Sequence, residues 1–516
     1  PRTCGRGSGA ASIVAYSLGI TNVDPIRYNL MFERFLNPGR TDPPDIDVDF
    51  AWDERDSVLD YVFDKYGKAH VAMIATHQTC GARMAIREVA RVYGLTEDEI
   101  SRVTSRIPYF VDLPEYAASL QDVLKQWPSM QNMVFDHPWP AILNDAGRII
   151  GMPRGIGTHC GGVVITPQPI NTAAPVQISA KGYPIVQWEK DGAEEMGLVK
   201  IDLLGNRSLA VIRDTLENIK REGIIFDQNR WDPQSDKKTV DLFASGDTMG
   251  VFYTESPAMR LLQRKTRTGD FDHLVIHSSI IRPAANKYIR EYIKRLHGAQ
   301  YKVPHPVLRE TLSETFGIMV YQEDVSRVAM SLAGFSAEDA DALRKIMSKK
   351  AKGKRFEDFR IKFFQGARKN GASEDAIDEI WKMMLSFCGY SFCKPHSASY
   401  VQVSFQSAYL KAHFPAAFMA AVLSNYGGYY STQAYISESQ RMGLKIISPD
   451  VNQSEYRYYS RGNSIIVGFC QIKGLGIDAQ ERIIENRRKQ GIYTGIEDLL
   501  SRTGIGESDA EKLILA

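Results

Sequence analysis

Pro43-Pro44-Asp45-Ile46-Asp47-Val48-Asp49-Phe50 is the stretch whose reading decides the fold. Three carboxylates alternate with three apolar residues. Alternate side chains of a β-strand share a face, so the pattern predicts a strand with Asp45, Asp47 and Asp49 on one side. Ile46, Val48 and Phe50 anchor the other side in a core. Like charges this close repel, and one or two divalent cations would relieve the conflict. A solvated strand edge is the competing reading. A calcium loop of the EF-hand type also begins Asp-x-Asp-x-Asp, but it needs Gly at its sixth position and Glu at its twelfth. Those positions hold Phe50 and Asp56, which excludes it. What remains is a hard-metal site on a rigid strand, the layout of magnesium-dependent phosphoryl transfer.

Toward the N-terminus, Gly5-Arg6-Gly7-Ser8-Gly9 opens a helical pattern from Ala10 to Leu18. A Gly-rich loop feeding a helix presents free N–H groups and the positive end of the dipole, a seat for phosphate. A plain capped helix start is the alternative. Toward the C-terminus, Asp53 to Tyr66 has helical period, with Val58, Leu59, Val62 and Phe63 apolar. Ala82 to Tyr93 carries Arg83, Arg87 and Arg91 at intervals of four, so three guanidinium groups share a face. That face is either solvated or a track for a phosphate backbone. Residues from about 95 to 155 are punctuated by proline and read as a mostly helical insertion.

Gly157-Thr158-His159-Cys160-Gly161-Gly162-Val163-Val164-Ile165 reads as a turn into a buried strand, with His159 as loop anchor in preference to ligand. In Leu198-Val199-Lys200-Ile201-Asp202-Leu203-Leu204, alternation places Lys200 and Asp202 on one face of an otherwise apolar strand. A buried Asp needs a partner. Either Lys200 pairs with it locally, or Asp202 is a third metal carboxylate beside Asp47 and Asp49, the reading that the spacing favours.

From about 208 onward the chain reads as mainly helical. Arg344 to Arg355, including Lys345, Lys349 and Lys350, holds seven basic residues and no acid. It is a solvated loop or a binder of phosphate oxygens. Tyr390, Lys394 and His396 crowd the start of an apolar helix that ends near Pro415. An aromatic, a cation and an imidazole there suit a nucleotide pocket, and core packing is the alternative for Tyr390. Ile472-Lys473-Gly474-Leu475-Gly476 before a helix resembles a helix-hairpin-helix turn, whose amides form a nest for a DNA phosphate.

At 516 residues the chain exceeds one hydrophobic core, so several domains are expected. Hydrophobic content of 44% and charged content of 24% fit a soluble globular protein. The net charge of +2 excludes a uniformly basic nucleic-acid coat and requires local segregation of charge. No stretch reaches the apolar length of a membrane span, and the start lacks the apolar segment of a signal peptide. Six scattered cysteines with no CxxC pair indicate neither a zinc ribbon nor a disulfide framework, so a reducing cytoplasm is expected. The absence of an initiator Met reads as a fragment of a longer polypeptide.

Taken together these segments resemble the C-family replicative polymerases, the family of the bacterial DNA polymerase III alpha subunit. The likeness covers nearly the whole chain. It is carried by Gly5 to Gly9, Phe35-Leu36-Asn37-Pro38, Pro44 to Phe50, Gly161 to Ile165, Leu198 to Gly205, Gly317 to Glu323, Ala340 to Arg344, Lys394 to Tyr400, and Tyr409 to His413. The resemblance implies an α+β multidomain, mostly helical protein. It would combine a polymerase-beta-like nucleotidyltransferase palm (1–78 and 158–207), a helical thumb insertion (79–157), large helical fingers (208–467) and a helix-hairpin-helix region (468–516).

It further implies that Asp47, Asp49 and Asp202 bind two magnesium ions and that Lys200 lies near the primer terminus. Gly7 and Ser8 would grip the triphosphate, with Arg344, Lys345 and Lys394 near it. His396, with Tyr390 beside it, would screen the incoming sugar. The partners would be primed DNA, deoxynucleoside triphosphates and, through regions beyond this chain, a sliding clamp and other replisome subunits. Arg83, Arg87, Arg91, Lys349, Lys350, Lys473, Gly474 and Gly476 are the expected DNA contacts. Arg282-Pro283-Ala284-Ala285-Asn286 stands where the family has Arg-Pro-Gly-Pro, and Pro395 replaces a Ser-like residue. These departures leave open a specialised or error-prone paralogue. A non-catalytic DNA-binding scaffold would have no need of the three aspartates.

Overall fold

The computed structural model describes residues 2–38, 44, 46–107, 119–282, 285–348, 354–386, 392–426 and 428–516, without the side chains of Asn229 and Ser348. Among the described residues ten strands are assigned: β1 (Thr3–Arg6), β2 (Asp47–Ala51), β3 (Val71–Thr79), β4 (Pro153–Ile165), β5 (Val176–Ile178), β6 (Pro184–Val186), β7 (Lys200–Asn206), β8 (Lys445–Ile447), β9 (Tyr459–Arg461) and β10 (Ser464–Ile466). Most of the remaining secondary structure is helical. The chain forms two compact units, one of residues 1–59 and 202–516, the other of residues 60–201.

In the larger unit, β2 is the central strand of the catalytic-looking sheet. It pairs antiparallel with β1 and parallel with β7. Strand β2 begins at Asp47, and Asp45 lies outside the described residues. The expectation that Ile46, Val48 and Phe50 anchor the core is corrected: Asp49 and Ala51, on the carboxylate face, are buried, while Ile46, Val48 and Phe50 are only half-buried, because the helices close over that face. The helix expected over Ala10–Leu18 takes a different form. Strand β1 runs to Arg6, a 3-10 turn spans Gly7–Ala11, and a short helix covers Ile13–Ser17. Ser12 splits the two segments because its hydroxyl accepts from the Ala15 N–H at 3.2 Å, an N-cap that starts a new helix.

Helices bury this sheet. The Arg207–Arg221 and Pro415–Ser424 helices pack with Ala51 in one core. The second of these is apolar on every side and buried along its length, as an interior helix must be. Phe418, fully buried within it, contributes on the order of 1.5–3 kcal/mol by leaving water. The Lys394–His413 helix carries Ala398, Val401 and Phe405 into a second core with Ala10, Ala11 and the Phe271–Ile280 helix. A third core joins the Gln322–Ala333, Ala337–Ser348, Lys354–Lys369 and Glu374–Leu385 helices. Near the C-terminus, β8, β10 and β9 form a small sheet in that order. The Ile477–Gln490, Ile496–Thr503 and Glu507–Leu515 helices then share their own core.

In the smaller unit, β4, β3, β6 and β5 are neighbours in that order. The segment expected as a turn into a strand is one strand from Pro153 to Ile165. His159 is the anchor that the sequence suggests: its Nδ1 accepts from the Gly162 and Gly161 N–H groups at 2.7 and 3.2 Å. Helices Ala82–Val92, Glu97–Thr104, Leu120–Lys125 and Trp139–Ile149 intervene between β3 and β4. Glu97–Thr104 starts at a capping box, in which Thr96 and Glu99 satisfy each other's backbone N–H groups.

Candidate active site

The site begins with register. Across the parallel β2–β7 pair, Asp47 lies beside Asp202, Val48 beside Leu203 and Asp49 beside Leu204. Neighbouring strands stand about 4.8 Å apart, and side chains at paired positions leave the sheet on the same face. Asp47, Asp49 and Asp202 therefore project from one face, although a long stretch of sequence separates the third from the first two. Lys200 lies two residues before Asp202 on the same strand. Across β1, Arg6 is opposite Asp47 and Cys4 opposite Asp49.

The side chains are less simply arranged than the strands. Asp49 is almost completely buried, at 3% exposure. Its Oδ2 accepts from the Tyr400 O–H at 2.8 Å and from Asn206 Nδ2 at 3.0 Å. Its Oδ1 faces Arg6 Nε at 3.1 Å. Burial, followed by the charge of Asp49, pushes the Tyr400 phenol well above its ordinary range, so it stays a donor. Among the described residues no three carboxylate, imidazole or thiol groups gather as a ready metal cage. The expected proximity of Asp47, Asp49 and Asp202 is one of backbone register rather than of side chains already gathered. Their backbones adjoin, while Asp49 is held by neutral donors and a cation. The donor chemistry nonetheless fits a hard divalent ion: carboxylate oxygens on rigid neighbouring strands, one of them on a buried residue.

The Gly7 turn is fitted to Asp47. Gly7 has φ +72, and a Cβ there would stand 3.1 Å from Asp47 Oδ2. Gly5, one residue before Arg6, has no room for a side chain: its Cβ would meet the Ile20 carbonyl oxygen at 2.2 Å. Ser8 lies in the same 3-10 turn.

Of the other expected nucleotide residues, Tyr390 lies outside the described residues. Arg344 is oriented by Asp341, with Nε and Nη2 at 2.9 and 2.8 Å from its Oδ1. Lys345 approaches the same carboxylate at 3.4 Å. Lys394 is also paired. Its Nζ donates to Glu314 at 2.7 and 2.9 Å and its N–H to Glu323 at 3.1 Å, so its charge is neutralised within the protein. His396 sits among aromatics: its ring is 4.3 Å from Tyr400 and lies parallel to Phe392 at 6.0 Å. Burial first, then the charges of Arg6 and Arg34, push its pKa down to about 4.

The expected DNA contacts also divide. Arg83 donates to the Ile107 carbonyl, Arg87 pairs with Glu97, and Arg91 pairs with Glu97 at 2.6 Å and Glu88 at 3.1 Å. The three guanidinium groups thus have partners within the protein. The spacing of four is real, but Glu97, on the next helix, bridges two of the three cations. Lys349 and Lys350 lie outside the described residues. In the C-terminal turn, Gly474 has φ +82. The Gly476 N–H, an amide of the expected phosphate nest, donates to Asp509 at 3.2 Å, and Lys512 donates to the Gly474 carbonyl at 2.6 Å. Lys473 lines a shallow surface pocket with Lys512.

Sequence reasoning passed over Arg6, Asn206 and Tyr400, which hold Asp49, and Arg34, which is buried against Glu323 at 3.1 Å. Arg6 was within reach of it: the residue before a phosphate-seat glycine faces the acidic strand once β1 and β2 pair. Tyr400 carries no local signal, because nothing in its helix marks which aromatic meets a carboxylate.

Residues 2–205 match the family described as the bacterial DNA polymerase III alpha NTPase domain. Residues 208–371 match the bacterial DNA polymerase III alpha subunit finger domain, and residues 443–516 match a helix-hairpin-helix motif. DNA polymerase III subunit alpha of Thermus aquaticus is 36% identical over 507 residues, covering 96% of this chain and 41% of that protein. The protein of the same name from Neisseria meningitidis serogroup A is 37% identical over 504 residues, covering 97% and 44%. That of Escherichia coli K12 is 36% identical over 531 residues, covering 99% and 45%. The chain thus spans less than half the length of these curated relatives.

Proposed function

The chain belongs to the bacterial DNA polymerase III alpha-subunit family, and we propose that it carries the nucleotidyl-transfer core of a template-directed, replicative DNA polymerase. Residues 1–78 and 158–207 serve as palm, 79–157 as thumb, 208–467 as fingers and 468–516 as a helix-hairpin-helix region. The observation that carries the reading is the β2–β7 register, which sets Asp202 beside Asp47 on the face that also bears Asp49.

Asp47, Asp49 and Asp202 would hold two magnesium ions. When bound, the ions lower the pKa of the primer 3′-hydroxyl and offset the charge of the departing pyrophosphate. The protein's own residues supply position and charge. The Gly7–Ser8 turn presents backbone N–H groups to the triphosphate. Arg6 adjoins both that turn and Asp49, so its charge is shared between carboxylate and phosphate. The primer hydroxyl attacks the alpha phosphorus, a new P–O bond forms, and the bond to pyrophosphate breaks. Lys200, two residues from Asp202, lies toward the primer terminus. Arg344, held by Asp341, contributes charge at the triphosphate. The His396 ring, fixed by Tyr400 and Phe392, fills the space that a 2′-hydroxyl would need. Primed DNA and deoxynucleoside triphosphates are the substrates, and the cytoplasm is the site of action. Clamp and replisome contacts belong to the rest of the polypeptide.

The test is primer extension with Asp47→Asn, Asp49→Asn and Asp202→Asn, measured beside duplex binding. Loss of extension with binding retained supports the reading. Extension at the parent rate in all three overturns it.

A further inference from the structure

The two oxygens of Asp49 have different commitments. Oδ2 accepts two aligned hydrogen bonds, from Tyr400 at 2.8 Å and Asn206 at 3.0 Å. A carboxylate oxygen has two lone-pair directions, so Oδ2 is filled. Oδ1 faces only the Arg6 charge, at 3.1 Å, in a geometry too oblique for a hydrogen bond, among the described residues. One oxygen is anchored, and the other keeps its lone pairs.

The anchors are themselves fixed. Asn206 is the N-cap of the Arg207–Arg221 helix; its Oδ1 accepts from the Ser208 N–H at 2.9 Å, which aims Nδ2 at Asp49. The Tyr400 ring is gripped by Phe252 at 4.9 Å, Tyr253 at 5.1 Å and His396 at 4.3 Å. Ser404 Oγ donates to the Tyr400 carbonyl at 2.9 Å, within the same helix. Neither donor can swing away without breaking a second interaction.

We propose that Tyr400 and Asn206 are positioning residues that saturate Oδ2 of Asp49 and thereby present Oδ1 as its metal-ligand oxygen. The proposal rests on the reading of Asp49 as a metal ligand. Donors behind a ligating carboxylate fix its rotamer, and removal of such a partner typically weakens metal affinity by 10–100-fold. Because the Tyr400 ring also packs on His396, the helix Lys394–His413 bears on the sugar pocket and on the metal carboxylate through one side chain.

The experiment titrates the 516-residue chain with Mn2+, following the free aqua-ion signal by electron paramagnetic resonance. Tyr400→Phe keeps the ring and removes the O–H donor. Asn206→Ser keeps an N-cap oxygen for Ser208 and removes the amide donor, so it tests the same idea should the first variant fold poorly. Asp49→Asn defines which bound Mn2+ depends on this carboxylate. Each anchor variant is expected to weaken the Asp49-dependent site by about tenfold, with the thermal midpoint little changed. Mn2+ affinity within about twofold of the parent in both anchor variants, while Asp49→Asn loses the site, overturns the positioning roles and leaves the polymerase reading intact. An unchanged isotherm in Asp49→Asn overturns the reading of Asp49 as a ligand, and the proposal with it.

Discussion

Gly7→Ala separates backbone strain from damage to the site. Gly7 has φ +72, a left-handed conformation that costs an alanine about 1 kcal/mol. The added Cβ would also stand 3.1 Å from Asp47 Oδ2, so the carboxylate must retreat by a few tenths of an ångström to restore ordinary contact. A displacement of 1 Å at a reacting centre can cost about a hundredfold in rate, so about 0.3 Å corresponds to roughly fourfold. Gly19 supplies the control. Its φ is +70, and a Cβ there meets nothing within 4 Å. Gly19→Ala therefore carries the same strain without touching the site. The two variants should lose equal stability in thermal denaturation, and only Gly7→Ala should slow primer extension, by about four- to tenfold. Equal extension rates would refute the argument that the Gly7 turn sets the position of Asp47.

Arg87→Ala with Arg91→Ala should leave the salt dependence of duplex binding unchanged, because Glu97 already pairs with both; a fall in slope of about 0.9 per arginine would restore the phosphate track. Asp509→Ala releases the Gly476 N–H and removes a negative charge from the hairpin turn. Duplex affinity at low salt should rise, and an unchanged affinity would mean that this turn meets no phosphate. His396, with its pKa pushed down to about 4, should show no titration by NMR between pH 8 and 6. The sign follows from linkage: the folded chain resists a proton that the unfolded chain accepts near pH 6.5, so the stability owed to neutral His396 is present above that pH and is lost as the pH falls toward 4. A ring that titrates near 6.5 would place His396 in open solvent.

By itself the sequence determined the local chemistry. Period-two alternation depends only on backbone geometry, so Asp47 and Asp49 were legible as one face of a strand, and Lys200 and Asp202 as one face of another. Turn glycines and the apolar stripes of most helices were legible for the same reason, and family motifs in order supplied the architecture. Partners were not legible, because they are a property of distance in space. The register that joins Asp202 to Asp47 links strands far apart in sequence, and Tyr400 reaches Asp49 across 351 residues. Charge followed the same rule. Spacing gave Arg87 and Arg91 a shared face and composition put Lys394 at a helix start, whereas only the packed structure brings Glu97 and Glu314 against them. Burial then decided the rest. A buried carboxylate such as Asp49 must find donors to replace water, and which donors it finds, on which oxygen, is set by how the helices close over the sheet.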